Sequence, residues 1–169
     1  MGLDAYITGN TKFTNTELGD KFKLDTSDIL FSWSGSPETS IDTFIWTGGK
    51  AWLNQHIFKV VNKNKEERCF TYWLLKYLKP IFIEIAKNKQ TTGLGHITRK
   101  DLELMYFCKP NNHVISLFFK SAGSILDKIE NNLIENETLS KSRDELLPKL
   151  LSGEIDLSQL QAAAEQEGK

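Results

Sequence analysis

Between Asn112 and Pro148 nothing interrupts a helix. From His113 to Leu147 the chain has no proline and a single glycine, Gly123. Ile115, Phe118, Ala122, Ile125 and Ile129 alternate at spacings of three and four residues, the pattern of a helical seam. Leu133, Leu139, Leu146 and Leu147 extend it less regularly. A helix of about 35 residues is about 52 Å long at 1.5 Å per residue, far longer than a small domain can cover. A lone amphipathic helix leaves its stripe in water. The pattern therefore predicts a coiled coil with a partner helix; a helix folded back on its own domain is the alternative. Asn132 and Asn136 fall on or near the seam, where a buried amide costs stability but fixes register and partner number; on the surface they would do neither. Pro148 is expected to stop the helix and Ser152-Gly153 to end the segment. Residues 157–169 are rich in Gln, Ala and Glu and are expected to fray.

The residues ahead of this helix read differently. Short apolar runs at 5–8, 28–33, 43–46 and 56–61 predict strands, the second leaving through Ser34-Gly35-Ser36-Pro37. Residues 66–89 predict a helix, with Phe70, Trp73, Leu74, Tyr77 and Leu78 as its apolar stripe and Pro80 as a kink or break. Residues 90–95 predict a loop. Thr98-Arg99-Lys100-Asp101 resembles a capping box with Asp in place of Glu, opening a short helix, and 102–107 finish as a strand. Pro110-Asn111-Asn112 breaks the chain before the long helix. The expected fold is α+β, a mixed α/β domain over 1–111, then the long helix over 112–151 and a tail over 152–169.

Several function classes are excluded. Hydrophobic residues at 40% are too many for a chain disordered throughout. No window approaches 18 uncharged apolar residues, so no membrane span is expected. The first residues have neither a signal peptide's basic start and apolar core nor, with Tyr6, a myristoylation signal; a cytoplasmic protein is expected. Cys69 and Cys108 lie far apart and read as two reduced core thiols. No phosphate loop, nucleophile elbow or zinc-protease motif is present. His56, His96 and His113 are scattered, and Glu84 with Lys87 makes an ordinary surface pair. No enzyme, cofactor or metal site is expected.

Charge is segregated. Residues 1–47 hold 3 Lys against 7 acids, residues 48–111 hold 12 Lys plus Arg against 5 acids, and residues 112–169 hold 6 basic against 10 acidic. A basic middle suits a polyanion; a solvated lysine-rich surface is the plainer reading.

Three stretches carry a sharper signal. Leu30-Phe31-Ser32-Trp33-Ser34-Gly35-Ser36 runs on to Ile45-Trp46-Thr47-Gly48-Gly49-Lys50-Ala51-Trp52-Leu53-Asn54-Gln55-His56-Ile57-Phe58-Lys59-Val60. Gly93-Leu94-Gly95-His96-Ile97 follows, with Asp101-Leu102-Glu103. Last come Leu139 and Arg143-Asp144-Glu145-Leu146-Leu147-Pro148-Lys149-Leu150-Leu151-Ser152-Gly153-Glu154-Ile155. In this order they closely resemble the specificity subunit of type I restriction–modification systems, over most of residues 25–156. The resemblance implies a target-recognition domain that binds double-stranded DNA, followed by a helix that pairs antiparallel with a second helix and sets the separation of two half-sites. It implies modification (methyltransferase) subunits around it, restriction/translocase subunits joining them, and no chemistry in the specificity subunit itself. The resemblance also shows departures. One recognition domain and one helix are present, as in a C-terminal half; the domain looks short at its front; and Lys109-Pro110-Asn111-Asn112-His113 replaces the usual junction. A homodimer through the long helix would restore the pair. A dimerising interaction module without DNA reading is the competing function.

On this reading the candidate DNA contacts are Trp33, Ser34, Gly35, Lys50, Asn54, Gln55, Gly93, Gly95, His96, Arg99 and Lys100. Lys50 follows two glycines that allow close approach to a phosphate. Asn54 and Gln55 can present amides to adenine, or serve the fold. Gly93, Gly95 and His96 lie in a loop beside Arg99-Lys100 that suits phosphate, or a hinge. Trp46 and Trp52 read as core pillars. The candidate dimer interface is Ile115, Phe118, Ala122, Ile125, Ile129, Asn132, Leu133, Asn136 and Leu139.

Overall fold

The computed structural model describes residues 5–9, 11–90 and 92–155. A 3-10 turn at Asp20–Phe22 leads into β1 (Lys23–Leu24), β2 (Ile29–Ser32), β3 (Ser34–Gly35), α1 (Pro37–Ser40), β4 (Asp42–Ile45), β5 (Ala51–Trp52) and β6 (Ile57–Val60). Then follow α2 (Lys65–Asn88), β7 (Gly95–His96), α3 (Arg99–Glu103) and α4 (Asn112–Leu151). The mixed α/β class and the long final helix agree with expectation. Two compact units divide inside α4, between Asn131 and Asn132; the helix start at 112 is not the boundary of packing.

An antiparallel sheet of order β4-β2-β6 is central to the first unit. All four residues of β2 are buried, because this strand has neighbours on both edges and cover on both faces. Alternate side chains of a strand point to opposite faces. Phe31 accordingly joins Ile41, Phe82, Ala86 and Ile97, while Leu30 joins Leu24 and Trp46. Trp46 is thus the core pillar its setting suggests, its indole N–H donating to the Gly49 carbonyl at 2.6 Å. Trp52 is half-buried and pairs across β1–β5 with Lys23.

The predicted strand at 5–8 does not form. The Ala5 carbonyl instead accepts from the Thr47 N–H at 2.7 Å and the Thr47 hydroxyl at 3.1 Å, docking one residue without a ladder. Residues 102–107 also form no strand. Leu102 and Glu103 finish α3, and Leu102 and Met105 pack on the Phe31 cluster.

Asn64 starts α2, its side-chain oxygen accepting from the Glu67 N–H at 2.8 Å. The fully buried residues are Cys69, Tyr72, Phe82 and Ala86; of the expected stripe, Phe70, Trp73, Leu74 and Leu78 are half-buried, and Tyr77 is 80% exposed. Pro80 does not divide the helix. It is exposed, so water can satisfy the Lys76 carbonyl that its missing N–H leaves free. Cys69 is buried and its thiol is pushed up by that burial; Cys108 is exposed, against the expectation of a second core thiol.

The Asn111 side chain accepts from the Val114 N–H at 3.0 Å and opens α4. The helix runs 40 residues, about 60 Å at 1.5 Å per residue, straight through Pro148. The chain around Pro148 is exposed, so the lost hydrogen bond is again replaced by water. Gly153, at φ +75, supplies the left-handed residue that ends it. Residues 157–169, expected to fray, lie outside the described residues.

Candidate nucleic-acid interface

Backbone pairing brings three distant stretches to one place. β3 pairs with β7, Ser34 opposite His96 and Gly35 opposite Gly95. The Ile97 N–H donates to the Trp33 carbonyl at 2.8 Å, and the Trp33 N–H to the His56 carbonyl at 3.2 Å. Trp33, Ser34, Gly35, Gly95, His96 and the Asn54-Gln55-His56 turn therefore form one assembly, with Trp33 at its hub. The Trp33 ring stacks on Phe58 at 5.7 Å between centroids and lies 5.6 Å from the His56 ring.

Within it the side chains divide the work. The Asn54 side-chain oxygen accepts from the His56 N–H at 2.9 Å, so Asn54 shapes the turn. Gln55 and His56 stand side by side, Nε2 to Nε2 at 3.2 Å, both exposed. His96 is exposed and Ser34 half-buried. Gly95 is buried where β7 crosses α2, and a side chain there would run into the Ala86 carbonyl. Gly35, at φ +133, is pressed against Ser40. These two glycines serve close packing. Gly93, at φ +87, has open space around it. Arg99 and Lys100 begin α3 just beyond β7; Arg99 pairs with Glu103 at 2.9 Å. Thr98 and Asp101 complete the expected capping box. Hydrogen bonds from Lys89, and then from Thr98, hold the Asp101 carboxyl down to about 2. Lys50 is exposed after the Gly48-Gly49 turn, outside the backbone pairing that builds the Trp33 assembly. His56 and Phe58 were not among the sequence candidates. Their adjacency to Asn54-Gln55 was the available signal, but only the fold places them against Trp33.

Residues 4–142 of the chain match the family model of the type I restriction modification DNA specificity domain. The chain belongs to this family. The HindI specificity subunit of Haemophilus influenzae is 33% identical over 108 residues, covering 60% of this chain and 22% of that protein. The MjaIX specificity subunit of Methanocaldococcus jannaschii is 33% identical over 95 residues, covering 56% of this chain and 21% of that protein. The chain thus spans about a fifth of the length of these relatives. No solved structure matches it.

In this specificity domain the segregated charges recombine. Of the 12 cations in residues 48–111, eight are in ion pairs: Lys59 with Asp28, Arg68 with Glu130, Lys76 and Lys79 with Asp42, Lys87 with Glu38, Lys89 with Asp101, Arg99 with Glu103 and Lys109 with Glu67. Most partners of the middle segment come from the acidic stretches on either side. Lys50, Lys63, Lys65 and Lys100 keep no ion-pair partner among the described residues. Lys50 and Lys100 are the candidate contacts without an ion-pair partner among the described residues.

The specificity domain also claims part of the expected dimer stripe. Ile115 and Ala122, with Leu126, are buried in the first unit. Phe118 meets Phe70 edge-on at 6.2 Å, and the Ser116 hydroxyl donates to Glu66 at 2.6 Å. Ile115 and Ala122 are thus covered by their own domain and are not available to a partner. Ile129 and Leu133 are half-buried, Asn132 and Asn136 are exposed, and Ile125 and Leu139 are 53% and 59% exposed. Among the described residues no helix is long and apolar enough to cross a membrane, and no His, Cys, Asp or Glu cluster could hold a metal.

Proposed function

We propose that this chain reads double-stranded DNA as part of a type I specificity subunit, directing methyltransferase and restriction/translocase partners that carry the chemistry. The carrying observation is the family match over residues 4–142. The Trp33 assembly supports it by presenting Gln55, His56 and His96 together at the surface, as base readout requires polar groups on a rigid support. Lys50 and Lys100 supply phosphate contacts. The uncovered half of the α4 stripe, from Ile125 through Ile129, Leu133 and Leu139, pairs antiparallel with another copy of the same helix, with Asn132 and Asn136 setting the register.

A dimerising module without DNA reading is the alternative, and the family match does not favour it. A titration of duplex DNA at two salt concentrations separates the readings. DNA reading predicts an affinity that falls steeply with salt, by a log–log slope of about 0.9 per phosphate contact. Lys50→Ala lowers that slope by about one contact for every sequence. Salt-independent or absent binding overturns the proposal.

A further inference from the structure

The contact between Gln55 and His56 fixes an orientation as well as a position. Gln55 Nε2 lies 3.2 Å from His56 Nε2. An amide nitrogen only donates, so the ring nitrogen is the acceptor and the imidazole proton is on Nδ1. Turning the Gln55 amide over would set its oxygen against the ring lone pair. One amide N–H is thus used on His56. The second N–H and Oε1 remain side by side, a donor next to an acceptor, on an exposed residue.

The His56 ring is itself held from the core. The His56 N–H donates to Asn54 Oδ1 at 2.9 Å, and its carbonyl accepts from the Trp33 N–H at 3.2 Å. Its ring lies 5.6 Å from the Trp33 ring, tilted by 56°. Trp33 in turn stacks on Phe58 and packs against the Phe31 cluster. Trp33 seats His56, and His56 orients Gln55. A free glutamine side chain has to be ordered when it binds; here that ordering precedes DNA. In the major groove adenine alone sets an acceptor, N7, beside a donor, N6. Guanine offers two acceptors, one of which would face Oε1. Cytosine offers only a donor and thymine only an acceptor and a methyl group, so each leaves half of the amide unmatched.

We propose that Gln55 is the adenine-reading residue of this domain and that His56 is its positioning residue, fixing which end of the amide meets N7 and which meets N6. This rests on the DNA-reading function, and two measurements on the full chain keep the failures apart. The first is the side-chain nitrogen NMR spectrum of the protein without DNA. His56 should carry its proton on Nδ1; a proton on Nε2 overturns the positioning role, whatever the chain does with DNA. The second is selection from a random duplex pool, in which the chain should prefer adenine about tenfold at one position of the half-site. Gln55→Glu, which offers two acceptors, should move that preference to cytosine and leave the other positions alone. An unchanged base at that position, or an equal loss for all sequences, overturns the adenine role. His56→Phe keeps an aromatic ring for Trp33 but has no acceptor. Its preference for adenine should fall by about threefold to tenfold, the worth of one hydrogen bond, and His56→Gln, whose amide oxygen accepts, should regain part of it. A preference in His56→Phe as sharp as in the unaltered chain overturns the positioning role. If the unaltered chain selects no motif, the DNA-reading function fails and takes the adenine role with it, and the His56 tautomer alone judges the contact with Gln55.

Discussion

Asp101 shows how much one side chain can organise. Its carboxylate accepts from Lys89 at 2.5 and 2.6 Å, from the Thr98 hydroxyl at 2.6 Å and from the Thr98 N–H at 2.7 Å, fastening α3 to the end of α2. Its folded value of about 2 lies below the unfolded one, so its stabilisation is complete above about pH 4 and is lost as pH falls towards 2. Asp101→Asn should lower stability at neutral pH by about 1 kcal/mol and flatten the acid limb between about pH 4 and 2, as urea unfolding across pH would show. Gly95→Ala should cost about 1–3 kcal/mol in the same assay, because its new methyl meets the Ala86 backbone. The capping box was legible in the sequence because its partners lie three residues apart. The bridge from Asp42 to Lys76 and Lys79 was not, since its partners are 34 and 37 residues apart. Gly95 was legible as a glycine but not as a packing contact, which depends on where α2 passes.

At the scale of elements, α4 is covered unevenly, with Leu139, Leu146, Leu147 and Leu151 exposed. Its first turns bury Ile115, Ala122 and Leu126 on their own domain. Leu126→Ala should therefore cost about 2–5 kcal/mol of domain stability and leave any self-association of the folded fraction unchanged. Leu139→Asp should do the opposite, lowering association in sedimentation equilibrium while the unfolding midpoint of the recognition domain stays put. Periodicity revealed the apolar stripe and the length of the helix, but a repeat of three and four says only that a face is covered, not by what. The two prolines were misleading for a related reason: the cost of Pro80 and Pro148 depends on whether water reaches the freed carbonyl, and that is a property of the packed molecule. Strands β2, β4 and β6 were readable from apolar runs; β1, β3, β5 and β7, two residues each, are too short to carry a pattern and exist only through their partners.

For the whole molecule, the family was legible from ordered motifs spread along the chain, and the model match over residues 4–142 bears that out. The meaning of the charge was not legible. Blocks of net sign suited a polyanion or, more plainly, a solvated lysine-rich surface; in the fold eight of the twelve cations of residues 48–111 are in ion pairs, five of them with Asp28, Glu38, Asp42 and Glu130. On the proposed reading Lys50 and Lys100 are the candidate phosphate contacts without an ion-pair partner among the described residues, so modest affinity with specificity from geometry is expected. Two identical readers joined by antiparallel helices see identical half-sites on opposite strands. Selection of the purified chain against a random duplex pool is therefore the most direct test. The account predicts an interrupted inverted repeat; a single unrepeated motif, or no motif, would contradict it.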